Sequence, residues 1–199
     1  MAQARRPLPV IPIVAVISRY RWARTWGLEQ LQSRWGPPVT TSDAQPFTAS
    51  GYYQASMGCD LQKQFVSFAP VDNPAQLAAW KTWTNQLETT LAERAGALAA
   101  DDDDPPPFAG EPRPLNLDCG YVTEAKLVLA TTKDRDHRIY LSQGIYAEVT
   151  LSYKQRRWES HRWSYPDYQT PLALEFVESC RIQLRDYLTS WRQRNTREG

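Results

Sequence analysis

The residues able to do chemistry gather in the C-terminal half of the chain. Lys126, Lys133, Arg135, His137 and Arg138 fall within thirteen residues. Ammonium and guanidinium groups that converge at a turn bind a phosphate through charge-assisted hydrogen bonds. Asp134 and Asp136 alternate with them, and a solvated charged loop is the competing reading. Three carboxylates, Asp118, Glu148 and Asp167, lie far apart in the chain. If they meet near Lys133 and Arg138 they could hold Mg²⁺ and a phosphorylated substrate. If they do not, Asp118 and Asp167 read as turn residues whose side chains bond the nearby backbone. Spacing alone does not decide between the two.

Other chemistries have weaker support. No GxSxG elbow is present, and neither His137 nor His161 has a motif linking it to Ser or Cys. Cys59, Cys119 and Cys180 are odd in number, far apart and without CxxC spacing. Free thiols in a reducing compartment are expected rather than a zinc site. No GxxxxGK[ST] phosphate loop occurs. Lys154 to Tyr165 interleaves Arg156, Arg157 and Arg162 with Trp158, Trp163 and Tyr165, the combination used on single-stranded nucleic acid. The same residues would equally form a charged hairpin edge. A formal net charge of +1 implies no bulk attraction to nucleic acid or anionic membrane, so such binding needs a local patch.

These side chains must be positioned by a fold of ordinary composition, with 42% apolar and 23% charged residues, and a chain of this length suits one domain, 1–199. Val10 to Ile17 reads as a strand buried on both faces, and no segment has the ~20 apolar residues of a membrane span. Thr25 is expected to cap a helix ending at Gly36-Pro37-Pro38. Strands are expected over 39–47 and 61–68, with a loop or single turn at 51–60 between them. Asn73 and Pro74 begin a helix carrying Leu77, Trp80, Thr84, Leu87 and Leu91 at helical spacing. Residues 96–114, with four aspartates followed by three prolines, read as a disordered insertion. Lys126 to Thr132 is a strand, with a short helix over 124–130 left open. Pro171 starts a last helix whose stripe is Val177, Cys180, Leu184, Leu188 and Trp191, and Arg192, Arg194 and Arg197 compensate its C-terminal dipole.

Between these lies a hairpin, Arg138 to Leu141 and Ile145 to Tyr153. A three-residue loop, Ser142-Gln143-Gly144, places Ile139 opposite Ala147 and Leu141 opposite Ile145, with Gly144 left-handed. Ile145, Ala147, Val149 and Leu151 then share the core face. Arg138 stands opposite Glu148 and Tyr140 opposite Tyr146 on the other face, as an ion pair beside an aromatic pair or as a surface for ligands. The order strand, helix, strand, strand, helix, strand predicts an α+β fold. It would have a ferredoxin-like βαββαβ core, a largely antiparallel sheet with helices on one face, an added hairpin and a C-terminal helix.

Several segments carry a resemblance in the same order. They are Asn116-Leu-Asp-Cys-Gly-Tyr121, Lys126 to Lys133 (KLVLATTK), His137 to Leu141 (HRIYL), Gly144 to Leu151 (GIYAEVTL) and Trp163 to Tyr168 (WSYPDY). With Tyr53, Met57-Gly58, Leu61 and Val66-Ser67-Phe68, they resemble the bacterial domain-of-unknown-function family 4416. The resemblance spans nearly the whole chain outside the Asp/Pro-rich stretch. It implies no mechanism. Some members carry a GTP-binding label, which the missing phosphate loop does not support here. Where the family has an Asp-Pro-Gly-Tyr turn, this chain has Asp118-Cys119-Gly120-Tyr121.

The expected protein is cytoplasmic, with no membrane partner, and binds a small anionic ligand such as a nucleotide or phosphorylated metabolite. Lys126, Lys133 and Arg138 would contact the anion, Glu148 would orient Arg138, and Asp118 and Asp167 complete the candidate site. The alternatives are a non-catalytic nucleic-acid or protein interaction module and a Mg-dependent hydrolase or transferase. Whether it is an enzyme, its cofactors and its oligomeric state stay open.

Overall fold

The computed structural model describes residues 3–4, 6–48, 51–71, 73–100 and 106–195. β1 (Ile11–Ser18) is buried along its whole length, as a continuously apolar run requires. Its Val14 and Val16 face one hydrophobic layer, and its Ile11, Ile13 and Ala15 face another. α1 (Arg21–Trp35) begins four residues before the expected Thr25 cap. Trp22 and Ala23 are already core residues, and Ser18 Oγ accepts the Tyr20 N–H at the helix entrance. The helix closes at Gly36, whose φ of 77° suits glycine.

The segment 39–47 divides into two short strands, β2 (Thr40–Thr41) and β3 (Gln45–Pro46). α2 (Gly51–Met57) occupies the stretch read as a loop or single turn, because Met57 buries against Ile17 and Leu61. β4 (Gln62–Ser67) follows. A 3₁₀ turn capped by Asn73, whose Oδ1 accepts the Ala75 N–H at 3.1 Å, leads into α3 (Leu77–Ala100).

The remaining elements are β5 (Asn116–Val122), β6 (Lys126–Thr131), β7 (Ile139–Ser142), β8 (Ile145–Lys154), β9 (Arg157–Ser160) and α4 (Pro171–Asn195). Of the residues expected to compensate the dipole of α4, Arg197 lies outside the described residues. β5 replaces the expected turn at Asp118-Cys119-Gly120-Tyr121. Leu117 and Cys119 point into the α1/α3 layer, and this alternation outweighs the turn-like composition. The 124–130 ambiguity resolves as strand after a Thr123 turn, whose hydroxyl accepts the Ala125 and Lys126 N–H groups.

All strands join one antiparallel sheet in the order β2-β4-β1-β5-β6-β8-β7, with β3 on β4 and β9 on β8. α1 and α3 cover one face, and α4 covers the other through Phe176, Val177, Cys180, Leu184 and Leu188. The two helices of the expected six-element core, α1 and α3, share one face, and the added C-terminal helix α4 covers the other, its apolar stripe matching the second face of β1.

The hairpin keeps Ile139 opposite Ala147 and Tyr140 opposite Tyr146. Its loop is shorter than expected. Gln143 and Gly144 form a two-residue turn with φ of 53° and 74°, and the extra residue is a bulge at Leu141. β7 is the sheet edge and no helix among the described residues covers it, so Ile139 is 70% exposed rather than in the core. A second bulge, at Thr150, turns Leu151 to the α4 layer while Ile145, Ala147 and Val149 face the α1/α3 layer. The expectation of one shared face stops there.

Of the stretch 96–114 read as a disordered insertion, residues 101–105 lie outside the described residues. On one side α3 continues to Ala100. On the other, Phe108 packs edge-on against Tyr20 and Trp22. Glu111 accepts hydrogen bonds from Tyr20 Oη and Arg19 Nη1. An aromatic anchor and two polar contacts hold a segment whose composition alone argued against order.

Candidate functional site

The site arises where the sheet splits. β5 and β6 pair only from Gly120–Leu129 to Val122–Leu127. Beyond Gly120, β5 stays with β1 as far as Asn116, while β6 stays with β8 as far as Thr131. At Gly120 the two strands are in tight contact: a Cβ there would lie 2.3 Å from the Val128 carbonyl oxygen. Past this point a cleft of about 550 Å³ opens, walled by α3 and the two diverging strands and by Tyr165, Asp167 and Tyr168.

On the α3 side, Lys81 reaches the split and donates to the Leu117 carbonyl at 2.8 Å. Its ammonium lies 3.7 Å from Asp118 and 3.9 Å from Glu88. Glu88 accepts the Leu117 N–H at 2.8 Å and a two-pronged contact from Arg113 at 2.7 and 3.1 Å. Arg113 also donates to Asn116, which donates to Asp118 at 2.9 Å. Burial pushes the Glu88 carboxyl up. Burial also opposes ionisation of Asp118, but Lys81, Lys63 and the Asn116 hydrogen bond outweigh it and hold that carboxyl below its ordinary value. Asp118 keeps 32% side-chain exposure, so an ionised acceptor faces the cleft.

On the opposite wall, the Lys63 ammonium pairs with Asp167 and sits over three rings: Tyr168 at 4.1 Å, Phe65 at 4.8 Å and Phe47 at 5.4 Å from their centroids. A buried ammonium with one carboxylate gains further from ring quadrupoles. At the third corner Arg138 joins three segments. Its Nε donates to Glu148 at 2.8 Å, Nη1 to the Lys133 carbonyl at 2.9 Å and Nη2 to Tyr165 Oη at 3.0 Å. Two of its five N–H groups lie beyond these three bonds. Glu148 is buried, with His137 Nε2 3.1 Å from the same carboxylate oxygen.

Asp118, Lys133, Arg138, Glu148 and Asp167 thus line one cleft. Lys126 does not: it is the exposed first residue of β6, paired with Ser152 where β5 and β6 are still zipped together. Reasoning from the sequence missed Lys63, Lys81, Glu88, Arg113 and Asn116. Lys81 and Glu88 carried a legible signal, since they sit seven residues apart beside Thr84 in the apolar stripe of a helix, where charge is costly unless paired. Arg113 lay inside the segment set aside as an insertion.

The aromatic residues considered for nucleic acid are engaged within the fold. Trp163 is sandwiched between His137 and His161, with centroids at 5.0 and 4.8 Å, and donates to the Val149 carbonyl. Trp158 donates to Glu178. Arg157 pairs with Glu159 and Arg162 with Asp136. Cys119 and Cys180 are buried, their thiols pushed by burial up to about 11 and about 12, and Cys59 is exposed. Among the described residues, no group of three or more His, Cys, Asp or Glu is placed to hold a metal ion, and no helix is long and apolar enough to cross a membrane.

A family model described as a domain of unknown function (DUF4416) matches residues 9–184. No curated protein and no solved structure matches the chain.

Proposed function

The chain belongs to the DUF4416 family, and from that premise we propose that its cleft binds a small anionic ligand, a nucleotide or phosphorylated metabolite. One observation carries the reading. Lys63, Lys81, Arg113, Lys133 and Arg138 come from four separate segments and line a single cleft. A cleft of about 550 Å³ is in the range of small-molecule sites. Bringing cations together is costly, and here carboxylates offset the repulsion: Asp167 beside Lys63, Asp118 and Glu88 beside Lys81, Glu88 beside Arg113, and Glu148 beside Arg138. The cations are therefore held in place before a ligand arrives, which lowers the ordering cost of binding. Glu148 orients Arg138 so that its two remaining N–H groups are available to phosphate oxygens.

The strand order β2-β4-β1-β5, with α1 and α3 as crossovers, supports reading the core as ferredoxin-like. Three free thiols support a reducing, cytoplasmic setting. Thermal-shift titration with inorganic phosphate, nucleotides and phosphorylated sugars tests the ligand reading. Stabilisation by a phosphorylated compound, reduced in Lys133→Ala and Lys81→Met, is the expected result. A flat response to every compound, with both variants behaving as wild type, would remove it.

A further inference from the structure

We propose that the ligand of this cleft carries vicinal hydroxyl groups beside its anionic group, making it a phosphorylated sugar or sugar-containing metabolite rather than a bare anion. The inference rests on the anion-binding reading and narrows it through two groups that a simple anion would leave unused. The first is Asp118, which lines the cleft with a third of its side chain exposed. Asn116 occupies one acceptor position on Oδ2, and a carboxylate has about four. An ionised carboxylate at this spot repels any anion that comes near it. A ligand that presents hydroxyl donors there turns the repulsion into charge-assisted hydrogen bonds.

The second group is Tyr168. Its side chain is 2% exposed and lines the cleft, and its hydroxyl is a buried polar atom without a hydrogen-bond partner. A buried hydroxyl left unpaired is costly, and a ligand oxygen seated in the cleft that Tyr168 lines would satisfy it. Asp118 and Tyr168 line the same cleft. The half-buried rings of Phe47 and Tyr53 line the same cleft and would meet the C–H side of a sugar ring. The ligand would lie with its phosphate on Lys133 and Arg138 and its hydroxyls on Asp118 and Tyr168.

The test is calorimetric titration of the full chain with ribose 5-phosphate, 2-deoxyribose 5-phosphate and inorganic phosphate. Wild type is expected to bind ribose 5-phosphate on the order of tenfold or more tighter than either other probe, as hydrogen bonds to a charged acceptor imply. Asp118→Asn should raise phosphate affinity and bring the ratio close to one. Tyr168→Phe, which removes only an unpaired hydroxyl and so keeps the fold, should lower it severalfold. Equal affinities for all three probes in wild type, or a ratio unchanged in both variants, would overturn the hydroxyl inference while leaving the anion site standing. Failure of every probe to bind wild type would overturn both.

Discussion

Arg138 and Glu148 face each other across the β7–β8 hairpin, guanidinium Nε to carboxylate Oε2 at 2.8 Å, with side chains only 5% and 2% exposed. A cross-strand pair on an open sheet surface contributes little, but this one is largely buried at the wall of the cleft. Removing one member leaves the other charged and buried. Glu148→Ala is expected to cost about 3–5 kcal/mol, read from urea denaturation midpoints. The Arg138→Ala, Glu148→Ala double variant should lose less than the sum of the singles. A loss below about 1 kcal/mol would mean that the pair behaves as an exposed one.

Gly120 permits the contact from which the cleft opens. With the Val128 carbonyl oxygen 2.3 Å from any added Cβ and Leu129 Cδ2 at 2.7 Å, even alanine must push β5 from β6. Gly120→Ala is expected to destabilise by about 3 kcal/mol or more. Unchanged thermal stability would show that the strands can separate without cost.

Tyr168→Phe should be neutral or stabilising by up to about 1 kcal/mol in the absence of ligand, since the hydroxyl it removes is buried and unpaired. A drop in melting temperature would reveal a partner for that hydroxyl.

Asp118 makes stability depend on acid. Its folded carboxyl lies below the ordinary value, so its contribution is present above the unfolded pKa of ~3.9 and is lost as pH falls through the folded one. The stability difference between wild type and Asp118→Asn should therefore shrink from about pH 5 to about pH 2. A constant or widening gap would contradict this.

Thiol chemistry reports on the core. Cys59 is exposed, whereas Cys119 and Cys180 are buried, with thiols pushed up to about 11 and about 12. The thiolate is the reactive form. Labelling of the native protein near neutral pH should modify Cys59 first and leave the other two until denaturant is added. Rapid native labelling of Cys119 would show that β5 opens readily.

Local patterns in the sequence determined the elements that depend only on neighbours. The apolar run of β1, the Asn73-Pro74 start ahead of α3, the stripe of α4 and the pairing of Tyr140 with Tyr146 follow from side-chain period and capping, which act within a few residues. The convergence of Asp118, Lys133, Arg138, Glu148 and Asp167 on one cleft could be posed as a question from the sequence but not answered. Only the tertiary structure decided it, because the answer depends on where β5 stops pairing with β6. The same holds for Lys63 and Arg113, each drawn inward by a carboxylate distant in the chain, and for Leu151, turned to the other face by a single bulge. Long-range pairing and burial set these positions, and neither leaves a periodic trace in the order of residues.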